Sequence, residues 1–210
     1  MKSLLPRFYF SFRSPYAWIA ARQIEESFQL SPECLDYVPV WEPDPQTMAL
    51  LTDLGGEFLY VPMSKHKRLY ILQDVKRITA QLGYQMRWPV DKSPHWEVPH
   101  LTYLYACQQG KGKLFFKRIY ELRWQHGEDI CAKETIGHLA ADIGLDPDRL
   151  LAAIDHPDIR KTGAKMLYKA YRDSVFGFPF FVSRDGRHKF WGTDRLKDFM
   201  AFSQLSINSS

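Results

Sequence analysis

The sequence predicts an α/β fold in which a small sheet draws its strands from both ends of the chain and is interrupted by a long all-helical segment. Three observations predict it. Residues 7–12 form a short aromatic run that passes through Ser14-Pro15 into a helix-compatible stretch, and a second apolar run follows at residues 35–41. Residues 43–171 then carry helical periodicity and almost no strand character. Strand character returns at residues 178–182 and 188–191, separated by Asp185-Gly186, a strong hairpin signal.

Each element has a local reason. The first strand covers residues 7–12 and its helix runs from residue 15 to about 28, where Ser31-Pro32 breaks it. Proline in the first helical turn has no amide to leave unsatisfied, so Ser14 falls at the natural N-cap. In the second strand Leu35, Tyr37 and Pro39 share one side, with Val38 and Val40 on the other. Strand, helix and strand in that order imply a parallel pair.

Glu42-Pro43-Asp44-Pro45 opens the helical segment. Leu69, Leu72, Val75, Ile78 and Leu82 recur at helical spacing and stop at Gly83, and Lys65-His66-Lys67-Arg68 reads as the solvated start of that helix. Two helices, 101–109 and 114–126, flank Gly110-Lys111-Gly112. Another spans 134–143 and ends at Gly144. Asp146-Pro147 caps the next, and the last of the block runs from Pro157 towards Tyr171. A terminal helix carries Leu196, Phe199, Met200 and Phe202, and residues 204–210 read as a frayed tail. Closing the sheet requires residues 1–42 and 172–210 to form one discontinuous domain around a helical insertion domain, residues 43–171, a layout that resembles the thioredoxin-like fold.

Composition excludes several classes. The 210 residues are 45% hydrophobic and 25% charged, ample for a core. The formal net charge of +4 comes from scattered lysines and arginines, which gives no basic face for nucleic acid. Aromatic residues such as Tyr103, Tyr105, Phe115 and Phe116 fit helix packing instead. No run is apolar enough for a membrane span, and residues 1–7 are too short a hydrophobic core for a secretory signal. Cys34, Cys107 and Cys131 are odd in number and far apart, so a reducing, cytoplasmic compartment and inert buried thiols are expected. Seven histidines show no metal-ligand spacing, Ser14 lacks a nucleophile elbow, and no glycine-rich loop cradles a phosphate.

The candidate chemistry gathers at three places. Ser14 puts a small hydroxyl at a strand-to-helix turn, where exposed amides and the helix dipole favour negative charge. Thioredoxin-like proteins keep a Cys-x-x-Cys pair there, but Ser14-Pro15-Tyr16-Ala17 has neither sulfur. A site that favours a thiolate without its own thiol must take one from a ligand. Phe178-Pro179 opens the late strand, where a cis bond would turn the Phe178 backbone towards a bound peptide. Gly192-Thr193-Asp194-Arg195 begins a helix with Thr193 or Asp194 as cap, able to hold a carboxylate through amides and an ammonium through Asp194.

These segments together resemble the 2-hydroxychromene-2-carboxylate isomerase family. That family is close to kappa-class glutathione transferases within the DsbA-like branch of the thioredoxin fold. The likeness rests on residues 8–16, 175–179 and 190–196, on Tyr70, Asp74 and Arg77, and on Trp124, Gly127, Asp129 and Ile130. What the resemblance implies is a glutathione site and a glutathione-dependent isomerase acting on a small electrophilic or aromatic substrate. By that analogy Ser14 is catalytic and holds the glutathione sulfur as thiolate. Phe178, before a cis Pro179, pairs with the cysteinyl backbone, and Thr193 and Asp194 receive the γ-glutamyl end. A homodimer is implied as well. The alternatives are a kappa-like transferase and a cysteine-less peptide-binding protein without catalysis. Three departures stand out. Residues 43–63 lack the family's Phe-Lys-x-Thr-Gly-Asn-like loop, no asparagine occurs near His95-Trp96-Glu97, and Phe178 replaces the usual valine.

Overall fold

A computed structural model of the protein describes residues 5–28, 32–59 and 63–205. Four strands, β1 (Arg7–Phe10), β2 (Asp36–Pro39), β3 (Phe180–Val182) and β4 (Lys189–Trp191), form one sheet in the order β2-β1-β3-β4. β1 and β2 are parallel, with Phe8 opposite Tyr37, and β3 runs antiparallel to both β1 and β4. Gly186, at φ 77°, supplies the left-handed residue that the β3–β4 turn requires.

β1 is buried on both faces because helices cover both sides of it. One face holds an aromatic cluster in which Phe8 stacks on Phe181 and Phe181 on Phe199, with Phe10 against Tyr103 and Phe116. On the other face Tyr9 donates to Asp173, which also takes Arg7 Nε at 2.7 Å, and Lys169 pairs with Asp36. These bonds fix β1 and β2 to the long helix that precedes β3.

Nine α-helices are found among the described residues: α1 (Pro15–Glu26), α2 (Pro45–Asp53), α3 (Lys65–Leu82), α4 (Glu97–Gln108), α5 (Gly112–Glu121), α6 (Lys133–Asp142), α7 (Pro147–Ala152), α8 (Pro157–Arg172) and α9 (Leu196–Phe202). None is long and apolar enough to cross a membrane. α3 starts at the basic cluster and ends at Gly83 in the left-handed conformation, as the periodicity indicates. Asp146 caps α7 by accepting from the Arg149 amide.

Several boundaries differ from expectation, each for a local reason. The first helix ends at Glu26, two residues early; Ser31 lies outside the described residues, as do residues 206–210 of the expected tail. α2 follows Asp44 and Pro45, the same cap-and-proline pair that starts α7. α4 begins at Glu97 because Pro99 occupies its first turn, where no amide is needed. Gly112 opens α5 instead of sitting in a loop. Past α5 the chain widens into a π-wound turn, Leu122–His126, ended by Gly127 at φ 74°.

The most informative difference is at the end of β1. Ser11 and Phe12 leave the sheet, and side chains from the helical segment capture their backbone. Tyr120 donates to the Ser11 carbonyl at 3.2 Å and Trp124 Nε1 to the Phe12 carbonyl at 3.2 Å, while the Phe12 amide donates to His100 Nε2 at 3.3 Å.

Candidate active site

Ser14 sits where this captured loop turns into α1. Its backbone is extended at φ −91° and ψ 117°, and its Oγ accepts from the Ala17 amide at 3.2 Å, a helix N-cap. The hydroxyl proton is not well used: its acceptor, the Phe178 carbonyl, is 3.5 Å away, at the outer limit of a hydrogen bond. α1 has no acidic residue of its own in its first turn, where the helix dipole favours negative charge. The cap therefore orients a half-buried oxygen whose proton is open to a better acceptor, such as a sulfur anion.

Phe178-Pro179 is a cis peptide immediately before β3. The Pro179 carbonyl accepts from the Gly192 amide at 3.0 Å, which fastens it to the turn carrying Thr193 and Asp194. That turn is a 3₁₀ helix, Thr193–Arg195, packed against α1. Thr193 is half-buried and Asp194 exposed, 3.6 Å from Arg195 Nε. Neither residue is a helix cap: Gly192 and Arg195 hold those positions and no side chain closes either end. The reason is the tighter turn that precedes the helix. The 3₁₀ turn displaces the start of α9 by three residues, and Asp194 Oδ1 lies against Gly192, where a Cβ would come within 2.4 Å.

Contacts thus run from Ser14 to Phe178 and from Pro179 to Gly192, beside Thr193 and Asp194. The helical segment adds a fourth component that the sequence pattern marked without explaining. Asp74 of α3 accepts from Tyr16 at 2.7 Å, Arg77 at 3.0 Å and Tyr70 at 3.4 Å. Burial alone would raise its carboxyl, but these three donors and the Arg77 charge outweigh that and hold it below the usual carboxylate range. Burial, followed by the bond to Asp74, keeps Tyr16 a neutral phenol.

His100 was not singled out by sequence. It is fully buried, stacked on Trp41 at 5.0 Å, and its Nδ1 meets the Trp96 carbonyl at 2.7 Å. With Nε2 accepting from Phe12, Nδ1 must carry the proton. Burial pushes its pKa down to about 3, against the weaker opposing effect of the Trp96 carbonyl. Arg13, next to Ser14, reaches Glu42 at 3.3 Å and lies over the Trp96 indole. Arg123 is buried and forked onto Asp91 at 2.9 and 3.0 Å.

Asp44, His95 and Glu97 bring three potential metal-ligand atoms within 4.8 Å of one another, a grouping that histidine spacing did not signal. Arg160 already donates to both Asp44 oxygens, at 3.0 and 2.9 Å, so a cation is present there from the protein itself. The cysteines form no pair. Cys34 and Cys131 are partly exposed and Cys107 is exposed, contrary to the expectation of buried thiols, because the Cys107 sulfur lies at the α4–α5 corner against Gly112. Burial of the sulfur nevertheless raises the Cys107 thiol, and burial together with Asp129 pushes Cys131 up to about 12.

Comparison with known proteins agrees with this architecture. A curated 2-hydroxychromene-2-carboxylate isomerase of Sphingobium xenophagum is 27% identical over 197 residues, 92% of this chain and 94% of that one. A solved 2-hydroxychromene-2-carboxylate isomerase superimposes with a TM-score of 0.74 at 17% identity, covering 95% of this chain and 94% of its own. The cytosolic disulfide reductase DsbM of Pseudomonas aeruginosa, solved with GSH, gives 0.62 at 18% identity, with 96% and 98% covered. Both likenesses are of fold. The profile of the DSBA-like thioredoxin domain matches residues 7–202, and the chain belongs to that family.

Proposed function

We propose that this protein is a glutathione-dependent isomerase of the 2-hydroxychromene-2-carboxylate isomerase type. The observation that carries the reading is the Ser14 hydroxyl. Its lone pair is held by the Ala17 amide at 3.2 Å, while its proton has only the Phe178 carbonyl at 3.5 Å. A glutathione sulfur placed there would take that proton as a hydrogen bond and lie at the positive end of α1. A free thiol has a pKa of ~8.5, and each unit of depression is worth about 1.4 kcal/mol, within reach of a helix terminus plus one donor.

In this reading Phe178, before Pro179, pairs with the cysteinyl backbone, and Thr193 and Asp194 take the γ-glutamyl carboxylate and amine. The thiolate adds to an activated carbon of a small electrophilic substrate, forming a C–S bond while the π electrons move onto the conjugated carbonyl. The single bond so created rotates. The electrons then return and expel the thiolate, so no net redox change occurs. The curated isomerase relative and the GSH-bound structural neighbour support this assignment. The three unpaired cysteines support a reducing, cytoplasmic setting. Residues 43–171, as a helical insertion on the domain formed by 1–42 and 172–210, would supply the cover.

The test is spectroscopic and kinetic. Glutathione added to the protein at neutral pH should produce the ultraviolet absorbance of a thiolate, and 2-hydroxychromene-2-carboxylate should be isomerised in its presence. Ser14→Ala should remove the thiolate signal and lower turnover, leaving affinity for S-methyl glutathione within about twofold. Glutathione binding with an unperturbed thiol would instead mark a peptide-binding protein, and accumulation of a stable conjugate a transferase.

A further inference from the structure

We propose that Asp44, His95 and Glu97 form a binding site for a divalent transition-metal ion, with zinc the best match. The site uses none of the residues assigned to glutathione. Its three ligand atoms lie within 4.8 Å of one another. His95 Nε2 is 3.5 Å from Asp44 Oδ2 and 3.5 Å from Glu97 Oε2. Both separations stand at the outer limit of a hydrogen bond. They match instead the edge of a zinc tetrahedron, about 3.3–3.6 Å for ligands at about 2.0–2.2 Å from the metal. One imidazole nitrogen with two carboxylate oxygens is a donor set that zinc accepts, and a water would complete it.

The remaining oxygens are committed elsewhere, which aims the ligating ones. Glu97 Oε1 accepts from Trp41 Nε1 at 3.2 Å and from the Asp44 amide, and Oε2 is the atom that faces His95. Asp44 Oδ1 accepts from the Thr47 amide at 2.8 Å as the cap of α2, while Oδ2 faces His95. Such outer donors fix the orientation of metal ligands. The His95 side chain is 47% exposed and gives an ion its way in, whereas that of Glu97 is 1% exposed.

Charge points the same way. Arg160, itself buried, donates to both Asp44 oxygens and to Thr47 Oγ1, and so offsets one carboxylate. Among the described residues the one ion-pair partner of Glu97 is His95. A buried carboxylate is costly without a cation beside it. A divalent ion between Glu97 and His95 supplies that cation. The ligands also come from segments where the chain departs from the family pattern: residues 43–63, and residues 95–97 with no asparagine nearby. A glutathione site leaves these departures unexplained, and the metal uses them.

The experiment is calorimetric titration of zinc chloride into the full chain, stripped with chelator, kept reduced and free of glutathione. Wild type should take one ion per chain. His95→Ala, at an exposed position, and Glu97→Gln, of nearly the same shape, should each weaken binding by about tenfold or more, with circular dichroism showing both folded. His138→Ala, a change at an exposed histidine outside the site, should bind as wild type. Cobalt(II) in place of zinc should give the visible bands of a four-coordinate nitrogen–oxygen site without thiolate charge-transfer absorption. No stoichiometric binding by wild type, wild-type affinity in folded His95→Ala, or thiolate absorption with cobalt overturns the site.

Discussion

The Tyr16 hydroxyl donates to Asp74 across 2.7 Å, tying the first turn of α1, two residues past Ser14, to a helix that starts fifty residues further on. Asp74 is held by two more donors, Arg77 and Tyr70, and these bonds with the Arg77 charge keep it ionised. Hydrogen bonds to charged groups contribute about 1.5–3 kcal/mol when partly buried. Tyr16→Phe and Asp74→Asn should each lower stability by about 1–2 kcal/mol, and the double variant should cost less than their sum. Denaturant unfolding of the four proteins measures the coupling; strict additivity would show that the bond carries no energy.

His100 makes the fold acid-sensitive. Its folded pKa of about 3 lies below the ~6.5 of an unfolded chain, so between those values the unfolded state binds the extra proton. Stability from this group is therefore full above pH ~6.5 and falls as pH drops towards 3, by up to about 1.4 kcal/mol per pH unit. Urea unfolding from pH 7 to 4 should show this slope, and His100→Asn, although less stable throughout, should flatten it. An equal slope in both proteins would assign the acid sensitivity elsewhere.

Gly112 marks a close approach of α5 to α4. A Cβ there would lie 2.4 Å from Cys107 Sγ and 3.1 Å from Cys107 Cα. Gly112→Ala should cost about 1–3 kcal/mol by overpacking. Adding Cys107→Ala removes the nearer atom and should restore part of the loss, as thermal unfolding would reveal.

Disulfide chemistry should be absent. Ser14 and Ala17 stand where a redox pair would be, Cys34, Cys107 and Cys131 form no pair, and two of their thiols are pushed away from ionisation. An insulin-reduction assay without glutathione should read as background; catalysis above background would contradict the assignment.

The sheet is legible because its signals are local, the aromatic runs and Asp185-Gly186, and so is the end of α3 at Gly83. Asp44-Pro45 carries the same local signal as Asp146-Pro147, a cap followed by proline, and starts α2 as that pair starts α7. Thr193 and Asp194 looked like caps because the sequence does not show that a 3₁₀ turn will precede α9. Tyr70, Asp74 and Arg77 stand out only through the family resemblance, and their meeting with Tyr16 depends on how α3 lies against α1. His100 was invisible for the same reason, as both its partners and its neutrality come from burial.

The grip of Tyr120, Trp124 and His100 on the Ser11–Phe12 backbone sets an order of events in folding. Those bonds span 109, 112 and 88 residues, whereas the adjoining β1–β2 pairing needs only the short βαβ unit. Closing the longer loops costs more chain entropy and comes later. The approach to Ser14 is thus completed only when α4 and α5 have docked, and a nascent chain that stops short of residue 124 lacks the groups that shape it. Misfolded or partly synthesised forms would then lack the shaped approach to Ser14, which belongs to the finished molecule alone.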